Sequence, residues 1–116
     1  MKNSEIHTRM QFSLQGLRWA WRSERSLHDH ALVSLALLSG LVWAEAQPLW
    51  IALVGLSIFA GWSLEITNAA IEALCDKLHP AHDPAIGKVK DMASAAAFTA
   101  NMAMLLLTIC ALAVGR

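Results

Sequence analysis

Three runs of the chain carry no Asp, Glu, Lys or Arg: residues 31–44, 49–64 and 92–115. The first two are parted only by Glu45-Ala46-Gln47-Pro48, so apolar sequence is almost unbroken from 31 to 64. A membrane-spanning helix needs about 20 residues at a rise of about 1.5 Å each. Leu27–Ala44 reaches that length if its cytoplasmic end crosses the headgroup layer, and Met92–Val114 is long enough by itself. The middle stretch begins after Pro48, a natural first-turn residue, and keeps helical character through Leu78, where His79-Pro80 stops it. That helix would be about 46 Å long against a hydrocarbon core of about 30 Å, so its last turns must stand out of the membrane. Ahead of the apolar runs, Ile6, Met10, Phe12, Leu14, Leu17 and Trp21 fall on or near one side of a helix, against Arg9, Gln15, Arg18 and Arg22. Such a helix lies in the headgroup plane, with Trp19 and Trp21 at the interface. The pattern predicts an all-α membrane protein of one domain, residues 1–116. It has a surface helix over about 4–23 and spans over about 26–45, 48–78 and 88–115.

Composition agrees. The hydrophobic fraction is 56% and the charged fraction 16%, where soluble domains carry roughly 25% charged residues. A net charge of zero argues against a nucleic-acid binder, which would need a basic face. Cys75 and Cys110 do not read as a disulfide or a metal-ligand pair. The first 26 residues are polar and mixed in charge, and are not expected to be a signal peptide. Of nine Lys and Arg, Lys2, Arg9, Arg18, Arg22 and Arg25 precede the first span, and Lys77, Lys88 and Lys90 lie between the second and third. The connection around Glu45 has none. By the positive-inside rule the N-terminus and the 77–91 loop are cytoplasmic and the C-terminus is outside.

Counting about 20 residues inward from the outer end of each span marks the inner boundary at Arg25, Thr67 and Ala96. Glu24, Glu65 and the group Lys90, Asp91, Ser94 therefore share one depth, at the inner interface. On the second helix Glu65, Asn68, Glu72 and Asp76 follow at +3, +4, +4, which places them on one face. A long helix leaving a bilayer is expected to carry solvated charge, and Asp76 alone reads equally well that way. Glu65 is different: it follows an unbroken apolar run at membrane depth, where an ionisable side chain is costly and usually functional. Oxygen ligands on one stripe suit Mg²⁺, which takes one or two carboxylates plus substrate phosphates. The stripe therefore points to a cation-linked or proton-linked role. The five histidines, His7, His28, His30, His79 and His82, read mostly as solvated or headgroup-facing. Asn101 reads as an interhelical hydrogen bond.

These residues carry a family resemblance. Glu65-Ile-Thr-Asn-Ala-Ala-Ile-Glu-Ala-Leu-Cys-Asp76 resembles the E-x-x-N-[ST/A]-A-I-E-A-x-x-D signature of the prokaryotic diacylglycerol and undecaprenol kinases. Lys90-Asp-Met-Ala-Ser-Ala-Ala96 resembles their K-D-[MV]-[GA]-[SA]-[AG]-A, and Gly16-Leu-Arg-Trp-Ala-Trp-Arg-Ser-Glu24 their G-[LF]-x-x-[AG]-[WF]-x-x-E. The three occur in the family's order and span nearly the whole chain. The resemblance implies a homotrimeric integral membrane kinase that transfers the γ-phosphoryl group of Mg·ATP to a lipid hydroxyl. By motif, Glu65 would be the general base and Glu24 and Glu72 the Mg²⁺ ligands. Glu24, Glu72, Asn68, Asp76, Lys90 and Asp91 would form the ATP site. Glu65, Ser94, Arg18 and Trp21 would meet the lipid substrate.

Met92 and Ser94 resemble the diacylglycerol kinases, which favours diacylglycerol as substrate and phosphatidic acid as product. His30, six residues after Glu24, and Pro84 resemble the undecaprenol kinases, although Asp83 stands where those often have His. A small oligomeric proton-coupled transporter is the rival from another class. It explains Glu65 but not the cluster of Glu72, Asp76, Lys90 and Asp91.

Overall fold

The computed structural model describes residues 5–116. Lys2, counted above among the cations before the first span, and Ser4, at the expected start of the surface helix, lie outside the described residues. Among those described, all regular structure is helical, as the hydrophobic pattern requires: α1 (Ile6–Ser23), α2 (Arg25–Trp43), α3 (Pro48–Leu78) and α4 (Pro84–Val114).

Local chemistry sets the boundaries. Pro48 and Pro84 each occupy the first helical turn, where the missing N–H costs nothing. Asp83 caps α4: its carboxylate accepts from the N–H groups of Ala85 at 2.7 Å and Ile86 at 3.3 Å. At the other end of that loop α3 stops at Leu78, ahead of His79-Pro80. Between α2 and α3 the chain reverses at Glu45, whose φ of 59° lies in the left-handed region. The N–H of Ala46 donates to Leu41 O at 3.0 Å and that of Glu45 to Val42 O at 3.1 Å, the bond pair of a Schellman stop. Glu24 is the single extended residue between α1 and α2, with φ −115° and ψ 107°.

α3 and α4 make the most extensive packing. They run antiparallel, with Trp50 against Gly115, Glu65 beside Asn101 and Asp76 beside Lys90. The buried face of α4 steps through Ala97, Met104, Thr108 and Ala111, a 3- and 4-residue spacing that keeps one stripe on the neighbour. α2 lies across the pair and buries Leu27, His30, Ser34 and Leu41. At the 44–47 end the core is apolar, with Leu41, Ala46, Val54 and Ala111 packed by Trp50, Ile51 and Leu107. Gln47 fastens this end through its N–H to Gly115 O and its side-chain amide to Arg116 O.

The core is thin and the outside apolar. The molecule exposes 8495 Å², whereas a folded soluble monomer of its 12.6 kDa exposes about 6,200 Å². Phe59 and Phe98 are 76% and 62% exposed, and only 17% and 22% of the apolar windows of α3 and α4 is buried. Hydroxyls on these helices bond their own backbone: Ser63 to Phe59 O, Thr99 to Ala95 O and Thr108 to Met104 O. That satisfies the groups without water. By length and composition α3 and α4 suffice to cross a membrane. α2 is not among the helices that meet this measure: Arg25, His28, Asp29 and His30 crowd its first turns, leaving Ala31–Trp43 as its apolar part, about 20 Å of rise.

Candidate functional site

The α3–α4 stripe changes character halfway along. Towards the 79–83 end, α3 turns Gly61, Glu65, Asn68 and Glu72 into positions that are buried or half-buried, at the +4, +3, +4 spacing of one helical face. Across from them α4 brings Asn101, Ser94 and Lys90.

Two contacts join α3 to α4 here. The Asn101 side-chain amide donates to Glu65 Oε1 at 3.2 Å, so Asn101 does form the interhelical bond expected of it. The Lys90 ammonium donates to Asp76 Oδ1 at 2.5 Å. Asp76 is exposed, so this pair sits in solvent. One register serves both contacts, and it sets Ser94 level with Glu72 and Asn68 level with Phe98. Ser94 itself is exposed. It stands seven residues from Asn101, about 10.5 Å along the helix, and so is not in contact range of Glu65.

α2 contributes a residue that sequence reasoning set aside. His30 is 6% exposed; its Nε2 lies 3.0 Å from Asn101 Oδ1 and its Nδ1 3.1 Å from Ser34 Oγ. Three helices thus meet in one polar line, Ser34–His30–Asn101–Glu65. The discernible signal was His30 and Ser34 at i, i+4 on α2, together with two intramembrane polar residues on α3 and α4. Beside this line is a cleft of about 310 Å³ lined by Asp29, His30, Val33, Glu65, Asn101 and Met104, among others. Charged and apolar walls meet in it.

The remaining expected residues are spread around this centre. Glu24 is half-buried at the α1–α2 junction, and its side chain does not cap α2. Glu72 is half-buried and Asp91 exposed. Among the described residues no hydrogen bond or ion pair joins Glu24, Glu72, Asp91 or Ser94 to another member of the set, and no three His, Cys, Asp or Glu side chains gather as a metal cluster. Asn68 Oδ1 is buried with no donor, an unsatisfied acceptor that normally costs about 1–3 kcal/mol. It lies one turn from Glu72 on the same face.

Arg18 and Trp21 line a different recess from Glu65. With Leu14, Leu17, Arg22 and Trp62 they border a groove of about 490 Å³ between α1 and α3. Trp21 stacks on Trp62 at 6.0 Å, and His28 Nε2 lies 2.8 Å from Trp21 O. The rest of α1 is largely free of the bundle: Ala20 is its one buried residue, and Ile6 and Trp19 are 75% and 71% exposed.

Comparison with known proteins bears on this arrangement. The family profile described as "Prokaryotic diacylglycerol kinase" matches residues 11–112. The protein named diacylglycerol kinase of Escherichia coli (strain K12) is 30% identical over 89 residues, covering 77% of this chain and 73% of that protein. That of Shigella flexneri gives the same values, 30% over 89 residues. The diacylglycerol kinase of Haemophilus influenzae is 27% identical over 89 residues, covering 77% of this chain and 75% of its own.

Proposed function

The chain belongs to the prokaryotic diacylglycerol kinase family, ATP-dependent lipid phosphotransferases of bacterial membranes, and from that premise we propose that it phosphorylates the hydroxyl of diacylglycerol to give phosphatidic acid. The observation that carries this reading is Glu65, a half-buried carboxylate where the apolar run of α3 gives way to its polar face, lining the cleft where charged and apolar walls meet. A bilayer lipid presents its hydroxyl at that depth, with its chains along the apolar wall.

In this reading Glu65 accepts the hydroxyl proton as the lipid oxygen forms a bond to the γ-phosphorus of ATP. The bond from that phosphorus to the β-phosphate bridging oxygen breaks, and ADP leaves. Lys90 and Asp76 steady the nucleotide phosphates together with Asn68 and Asp91. Glu24 and Glu72 hold Mg²⁺, whose part is to neutralise phosphate charge. Asn68 Oδ1 fits that donor set, being a hard oxygen left without a partner one turn from Glu72. Ser94, Arg18 and Trp21 meet the lipid headgroup region from α4 and α1.

The protein sits in the inner membrane with its N-terminus and the 79–83 loop in the cytoplasm and its C-terminus outside. α2 is the first of three spans, its His28–His30 segment in the headgroup layer, and α1 rests on the surface. Three copies assemble. The thin core and the exposed apolar faces of α3 and α4 support that arrangement, since one subunit leaves its site open on one side. Undecaprenol is the second reading for the lipid, favoured by His30 at the cleft wall. The test supplies purified protein with labelled ATP and, in parallel mixed micelles, each lipid. Faster labelling of diacylglycerol is expected; label in undecaprenol alone would reassign the substrate, and label in neither would revive a transport role for Glu65.

A further inference from the structure

We infer that Asn101 and His30 are positioning residues, which hold one oxygen of the Glu65 carboxylate so that the other faces the lipid hydroxyl; this rests on the reading of Glu65 as the general base. The directions of the hydrogen bonds follow from chemistry. An ionised carboxylate only accepts, so Asn101 must offer Glu65 its NH₂ group, and its Oδ1 is left to accept. His30 Nε2, 3.0 Å from that Oδ1, must therefore carry the proton. In the neutral ring Nδ1 then has a lone pair, and the Ser34 hydroxyl at 3.1 Å donates to it. Every donor in the line thus points towards Glu65, and each member fixes the next. Ser34 and His30 are 7% and 6% exposed, so water does not compete for the bond between them.

Gly61 provides the space. A Cβ there would meet His30 Nε2 at 2.7 Å and Asn101 Oδ1 at 3.1 Å. Mid-helix, alanine is the better helix former, so the glycine weakens α3 locally while opening room for the two side chains one turn from Glu65. Trp62, the next residue, meets the His30 ring edge-on at 6.1 Å and restrains it from a third side.

The test measures kcat, the KM for Mg·ATP and the unfolding temperature of the full chain in mixed micelles. Asn101→Leu and His30→Leu should each lower kcat by about 10–100-fold, the scale of a misplaced reacting group, with the KM for Mg·ATP unchanged. The double variant should be no slower than Asn101→Leu alone, because His30 acts through Asn101. His30→Gln, whose amide can still donate to Asn101, should recover most of the rate. Gly61→Ala should lose rate without losing unfolding temperature, which a merely structural role for the line would not produce.

Wild-type kcat in Asn101→Leu would overturn the inference. So would additive losses in the double variant, or equal losses in His30→Gln and His30→Leu that follow the unfolding temperature. Glu65→Gln in the same series separates this inference from the reading beneath it. Full activity there removes the general base and the line with it, whereas an inactive Glu65→Gln beside an unimpaired Asn101→Leu removes the line alone.

Discussion

The same pair of helices is built in two ways along its length. At the 44–47 end α3 and α4 meet through Val54 and Ala111, with Leu41 of α2 filling the angle, all fully buried. At the 79–83 end they meet through Glu65–Asn101 and Asp76–Lys90, and the side chains there are half-buried or exposed. Helix geometry is continuous across the change; only the residue types differ. One end contributes close packing and a fixed register. The other uses that register to set polar groups opposite one another where water and lipid both reach. A chain of 116 residues thereby divides its length between holding helices together and presenting chemistry.

Variants that strike one end and spare the other should separate the two roles. Glu65→Gln should have the largest effect, lowering lipid phosphorylation by about 10²–10⁴-fold, the worth of a positioned base. Nucleotide binding, followed by displacement of a fluorescent ATP analogue, should stay near wild type. Glu72→Gln should come next. If Glu72 holds the metal, the Mg²⁺ concentration for half-maximal activity should rise by at least the roughly 10–100-fold that loss of even an outer metal partner costs; an unchanged magnesium curve would take Glu72 out of that role.

At the other end Leu41→Ala should destabilise by about 2 kcal/mol, the low end for a buried leucine. A lipid-bathed reference state keeps the cavity cost but loses much of the transfer term. Activity per folded molecule should not move, and a fall in kcat would blur the division between the ends. The smallest effect is expected at Glu45, held at φ 59°. Glu45→Gly should stabilise by about 1 kcal/mol, because glycine occupies that region without a Cβ clash. Denaturation in mixed micelles reads both changes.

Much of this layout is legible in the sequence, for physical reasons that also mark the limit. Glu65, Asn68, Glu72 and Asp76 announce a face because an α-helix repeats every 3.6 residues, and Pro48 marks a helix start because it lacks an N–H; the last helix, expected from about 88, begins earlier, at Pro84. Prolonged apolar runs reveal α3 and α4 in the same way. α2 is harder: its polar first turns and short apolar part fall below what a span requires by composition alone. The role of His30 in the site is harder to read, since its partner Asn101 lies 71 positions away and the contact depends on how α2 is rotated against α4. Periodicity within one helix carries no information about that angle. Gly61 is likewise informative only once its neighbours are known. The motif residues Arg18 and Trp21 were matched by sequence alone, and only the fold places them in a recess apart from Glu65.

The most direct test of the account compares Glu65→Gln with Leu41→Ala in one assay of label transfer from ATP to diacylglycerol, normalised to folded protein, alongside an unfolding curve for each. A crossed result is expected: Glu65→Gln folds normally and fails to transfer phosphate, while Leu41→Ala unfolds more easily and transfers at the wild-type rate. Wild-type transfer by Glu65→Gln would contradict it.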